Sequence, residues 1–97
     1  MSGEMEIQAA LSEWEKSLHA VYNSVAKRPL HPEVKTWVKD VYNRGLKEYR
    51  LNLTRGSLGP LYALTWLIST YGQLRTIEEL TSGHAGRVAL RGLVEVD

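Results

Sequence analysis

The sequence predicts an all-α fold: a small bundle of three main helices plus a short fourth, ending in an irregular or extended tail. Three observations predict it. Between Ile7 and Val25 the apolar residues Ile7, Leu11, Trp14, Leu18, Val21 and Val25 are spaced 4-3-4-3-4, a heptad seam on one helix face. Two further stretches repeat helical spacing, one amphipathic and one apolar on nearly every side. Prolines and glycines fall between these stretches, where helices start and stop. The 97 residues suffice for one compact domain, 1–97, and are too few for two.

The first helix is expected over about residues 4–26, with glutamates crowding its amino end as the macrodipole favours. Ser12 and Glu15 also match a capping box, which offers a later start. Lys27-Arg28-Pro29 closes the helix, because the residue before proline is pushed out of helical geometry. Pro32 suits the first position of a second helix, and His31 before it suits a cap. Val34, Trp37, Val38, Val41, Tyr42, Leu46 and Tyr49 carry that helix over 32–52. Gly45 lies on this apolar face at a cost of about 1 kcal/mol relative to Ala, so a close helix crossing uses it or the helix weakens there.

Thr54-Arg55-Gly56-Ser57 reads as a turn, and a third helix follows over 59–72. Leu58, Leu61, Tyr62, Leu64, Trp66, Leu67, Ile68 and Tyr71 cover most of its circumference, the mark of a helix central to a bundle or shared between subunits. Gly72 suits its carboxyl cap, and Thr76-Ile77-Glu78-Glu79 is a capping-box match that opens the short fourth helix, 76–82. In residues 84–97, Val88, Leu90, Val94 and Val96 share one parity, as in a strand. A lone strand is unstable in water, so this tail is read as helical or disordered unless it pairs with another chain.

Composition excludes several functions. With no Cys there are no disulfides, thiolate chemistry or Cys-based metal sites, and a reducing location such as the cytoplasm suits the chain. Residues 1–6 do not resemble a secretory leader, and the apolar run 58–71 is shorter than the roughly 20 residues that span a bilayer, so no membrane association is expected. His19, His31 and His84 lack metal-ligand spacing, so no metal or other cofactor is expected. Neither a phosphate-binding glycine loop nor a GxSxG elbow occurs, and Ser82 with His84 and a distant Glu makes a triad only on paper. Glu13/Glu15 and Glu78/Glu79 are too close in sequence to face each other on a helix. No catalytic residue is therefore assigned, and the chain is expected not to be an enzyme.

Charge is unevenly distributed. Residues 1–26 carry one Lys and four Glu, net −3. Residues 27–55 carry eight basic and three acidic side chains, net +5. Residues 56–97 carry three Arg and four acids, net −1. Within the basic block Lys35, Lys39, Asn43, Lys47 and Arg50 share a sector of about 120° on the second helix, bordered by Tyr42 and Tyr49. Arg28 and Arg55 extend it at the helix ends. Cations beside aromatics suit RNA or single-stranded DNA, and Arg28, Lys35, Lys39, Tyr42, Lys47, Arg50 and Arg55 form the candidate nucleic-acid face. The plainer reading is a solvated helix face.

Leu58-Gly59-Pro60-Leu61-Tyr62-Ala63-Leu64, running on to Gly72 and preceded by Lys47-Glu48-Tyr49-Arg50, resembles the small helical subunits of CRISPR ribonucleoprotein effector complexes over about a quarter of the chain. The resemblance implies head-to-tail copies that line a guide–target duplex through basic helix faces.

The expected function is a non-enzymatic assembly or adaptor protein that self-associates or docks as a subunit in a larger complex, with a nucleic-acid-binding subunit as the alternative. Trp14, Leu18, Trp37, Leu64 and Trp66 are the expected core or interface residues. The opening seam spans under three heptads, too short to sustain a coiled coil. It is therefore expected to pack on the third helix, which moves the interface question to that helix's other side.

Overall fold

The computed structural model of the chain describes residues 2–82, which form three helices: α1 (Ser2–Ala26), α2 (Pro32–Leu53) and α3 (Gly59–Leu80). The tail expected over residues 84–97 lies outside the described residues. α3 is the shared partner: α1 and α2 each pack along it and touch one another only sparsely. This arrangement follows from α3's composition, because a helix apolar on two flanks can bury the single stripe of each neighbour.

The α1 seam is internal, as expected. Leu11, Leu18, Val21 and Val25 are buried, and Ile7 and Trp14 pack against the same core. Trp14 meets Tyr71 of α3 edge-to-face, with ring centroids 5.2 Å apart and planes at 74°. α1 is continuous from Ser2, so the later start at Ser12 is not used. Glu15 instead reaches across to α2, accepting a 2.9 Å hydrogen bond from the Tyr49 hydroxyl.

α2 starts as expected. Pro32 opens the helix, and His31 Nδ1 accepts the Glu33 backbone N–H at 3.1 Å. Its buried stripe is Val34, Val38, Val41, Gly45, Tyr49 and Asn52, with Leu46 beside it. Trp37 is not part of the core: it is 46% exposed. The physical reason is angular. Trp37 sits 100° round from Val38, on a flank shared with Glu33 and Arg44 that α3 does not reach. Gly45 supplies the close crossing, because a Cβ there would lie 2.7 Å from Thr70 Cβ and closer still to the rest of that side chain. The turn into α3 uses Gly56, whose φ of 72° is the left-handed region that favours glycine.

α3 corrects two expectations. It does not stop at Gly72, and the short fourth helix over 76–82 is absent as a separate element; residues 76–80 are the last turns of α3. Leu74 and Ile77 explain this, since both continue the stripe of Ala63, Leu67 and Thr70 and are almost wholly buried. Two buried side chains at about 1.5–3 kcal/mol each outweigh a helical glycine's cost of about 1 kcal/mol. Thr76 does not cap a new helix, because its hydroxyl donates back to the Gly72 carbonyl at 3.0 Å.

A polar clasp ties the end of α3 to the end of α1. Ser24 donates to Glu78 Oε2 at 3.0 Å, Arg75 pairs with Glu78, and Arg28 lies 3.8 Å from the same carboxylate. Burial opposes ionisation of Glu78. The hydrogen bonds from Ser24 and Arg75, with the charges of Arg75 and Arg28, outweigh it and hold the carboxyl below its ordinary value of 4.5. A depressed folded-state value means that the clasp's contribution is complete above about pH 4.5 and is lost as pH falls through the folded value. Thermal unfolding followed against pH checks this: Glu78→Gln lowers Tm at neutral pH, and its difference from the parent chain shrinks below pH 4.5. A constant difference across that range would rule the charged clasp out.

Candidate interaction surfaces

Two surfaces emerge from these elements. The first is the flank of α2 that adjoins α1. Lys35, Lys39, Asn43, Lys47 and Arg50 lie exposed along it, and the acidic residues of α2 (Glu33, Asp40, Glu48) lie outside that sector, with Asp40 bordering it beside Lys47. Between α1 and α2, near their connecting loop, a groove of about 240 Å³ is lined by Tyr22, Leu30, Lys35 and Lys39 among others. Arg55 is exposed in the turn beyond α2.

Two expected members of that face, Arg28 and Tyr42, and Tyr49 at its border are committed elsewhere. Arg28 turns away from it to α3, donating to the Glu78 carbonyl at 2.6 Å and to Thr81 Oγ1 at 3.0 Å. It acts as the α1–α3 clasp, which corrects its assignment to the cationic track. Tyr42 stacks on Tyr22 with centroids 3.8 Å apart and planes at 8°, so one ring face is already used. Its hydroxyl lies 2.5 Å from His19 Nδ1, and the other ring nitrogen of His19 lies 3.5 Å from Glu15. Burial, with Tyr22 and Glu15 nearby, raises the Tyr42 phenol above its ordinary value despite Arg50. Tyr49 is buried; desolvation and its hydrogen bond to Glu15 push its phenol to about 12. These tyrosines join α1 to α2 and leave the cations without the free aromatic platforms that stacking requires.

The second surface is the side of α3 turned away from both partners. Leu58, Leu61, Tyr62 and Ile68 are 54, 45, 52 and 41% exposed. No charged residue occurs between Arg55 and Arg75, so this outer face lacks the charges that ordinarily cover a solvated helix. Along it Leu58, Leu61, Thr65, Ile68 and Gly72 repeat the 3-4-3-4 spacing of a helix-pairing seam. At its amino end a groove of about 530 Å³ is bounded by Met5, Ile7, Pro60 and Leu61. Leu64 and Trp66 sit at the edges, half-buried against the core. The expected residues Trp14 and Leu18 face inward. Leu61, Tyr62 and Ile68, named on the apolar helix but not among the five expected core or interface residues, carry the outer surface; the signal for them is the long charge-free stretch.

Among the described residues no group of three or more His, Asp or Glu could hold a metal ion, and no helix is long and apolar enough to cross a membrane. Among the described residues, the fold and these surfaces define a three-helix bundle with an exposed apolar face on α3 and a cationic flank on α2. No protein-family model, curated protein or solved structure was found to match the chain.

Proposed function

We propose that this chain is a small non-enzymatic assembly subunit of a reducing compartment such as the cytoplasm, docking on protein through the outer face of α3. The observation that carries the reading is the charge-free stretch from Gly56 to Leu74, whose outward members Leu58, Leu61, Tyr62 and Ile68 remain exposed after the bundle has formed. Apolar surface of this kind on a charge-free helix face is the ordinary mark of a protein interface.

The test combines light scattering with a dye that fluoresces on apolar surface. The parent chain is expected to self-associate or to bind the dye. Leu61→Glu with Ile68→Glu should abolish both while keeping the helical circular dichroism, since neither side chain is in the core. A parent chain that stays at 11.0 kDa and leaves the dye dark would end the proposal.

A second reading has its own observation, the exposed cationic sector of α2 with Lys35 and Lys39 at the groove beside Tyr22. On this reading the subunit also contacts RNA or single-stranded DNA through Lys35, Lys39, Lys47, Arg50 and Arg55. Generic oligonucleotide binding should then fall steeply with salt, and Lys39→Glu with Arg50→Glu should abolish it. No measurable binding at about 50 mM salt sinks this reading. A subunit of a CRISPR ribonucleoprotein effector complex is one setting in which both faces would be occupied.

A further inference from the structure

We infer that the occupant of the α3 outer face is a second copy of this chain, lying antiparallel across it in a two-fold pair. The inference rests on the docking role proposed above and names its partner.

Gly72 raises the question. It sits in the interior of a 22-residue helix, it does not cap it, and its φ is not positive. A Cβ built on it would meet nothing within 4 Å. Within one chain the glycine therefore carries its helix-propensity cost without relieving any close approach, in contrast to Gly45, which is pressed against Thr70. A missing side chain in the row of an exposed apolar seam is useful where another backbone or a large side chain comes close.

The seam provides that side chain when it meets its own copy in the reverse direction. Pairing Thr65 with Ile68 of the second copy places Leu61 opposite Gly72, so a leucine meets the gap left by a missing side chain twice, once on each side of the axis. The same register sets Leu58 against the aliphatic stem of Arg75. It also carries the Arg55 turn towards Glu79. Arg55 is exposed with no ion pair among the described residues, and the Glu79 side chain is 71% exposed, held only by Arg75 at 3.4 Å. A parallel pairing would instead bring Gly72 to Gly72, leaving the gaps empty, and would set Glu79 against Glu79. Shape and charge both select the antiparallel arrangement.

The experiment uses the full chain, whose lack of cysteine leaves every thiol to be introduced by design. Light scattering should give twice 11.0 kDa. Under mild oxidation, Leu61→Cys mixed with Gly72→Cys should form a mixed disulfide, and Leu61→Cys alone should not cross-link to itself. Gly72→Gln should raise Tm under conditions where both proteins are monomeric, because it removes a helical glycine, and should shift the chain towards 11.0 kDa at higher concentration. Opposite effects on fold and assembly are expected only of a glycine kept for a partner.

Self-linking of Leu61→Cys would overturn the antiparallel register. A parent chain of 11.0 kDa that still lights the apolar dye, with the signal lost in Ile68→Glu, would overturn self-pairing and leave the docking face for a different protein. A chain of that mass with no dye signal would overturn both.

Discussion

Leu18→Glu should give an unfolded chain, without a cooperative thermal transition and without helical circular dichroism. Leu18 is completely buried at the middle of the α1 seam, among side chains that pack on α3. Replacing it removes about 1.5–3 kcal/mol of burial and forces a carboxylate into a site with no cation to meet it, costing several kcal/mol more. A chain of this size has total stability on the order of 5–15 kcal/mol, so the two losses take most or all of it. Leu18→Ala is the milder control, expected to remain folded with a loss of about 2–5 kcal/mol. A folded, monomeric Leu18→Glu protein would mean that the seam faces another chain and that the α1–α3 packing described here is wrong.

Gly45→Ala should destabilise the bundle, although alanine is the better helix former. The propensity gain is about 1 kcal/mol. Against it, the new methyl would overlap Thr70 and lie 2.7 Å from its Cβ, at the tightest point between α2 and α3. Thr70 is buried on the rigid stripe of α3 and cannot swing aside, so the two helices must separate. Overpacking of this kind costs about 1–3 kcal/mol, which cancels or exceeds the gain. Urea unfolding should show a lower midpoint with an unchanged slope. Thr70→Ala in the same chain should recover part of the loss, because it removes the two nearest atoms, and this non-additivity is the signature of direct contact. Gly45→Ala that raises the midpoint would show that the crossing is looser than described.

Much of the fold was legible beforehand because helix punctuation is local. Pro32 and His31 marked the start of α2 by backbone chemistry that depends on no distant residue. The α1 seam was also legible, since its period alone identifies a buried face. Gly72 and Thr76 misled for the same local reason: a glycine followed by a capping pattern suits a helix end, and only the burial of Leu74 and Ile77 on the neighbouring helices overrides it. Trp37, expected in the core or at an interface, is outside the core because Val34, Trp37, Val38 and Val41 allow two overlapping apolar stripes and α3 covers only the one without it.

The candidate surfaces divide in the same way. The cationic sector of α2 was readable from spacing, because angles around one helix need no partner. That Arg28 would leave it for Glu78, and that Tyr42 and Tyr49 would be spent on Tyr22, His19 and Glu15, depends on where α1 comes to rest.

Consecutive residues are enough to specify a helical bundle, the start of α2, the buried stripe of α1, and the charge-free stretch before Arg75. Periodicity, backbone chemistry and composition are properties of consecutive residues, and they survive without a tertiary context. Packing sets the rest: α3 is central and continuous, Gly45 is a contact while Gly72 faces open space, and Leu58, Leu61, Tyr62 and Ile68 stay outside. One helix can bury only the arcs its neighbours cover. Those arcs are set by packing against two other helices.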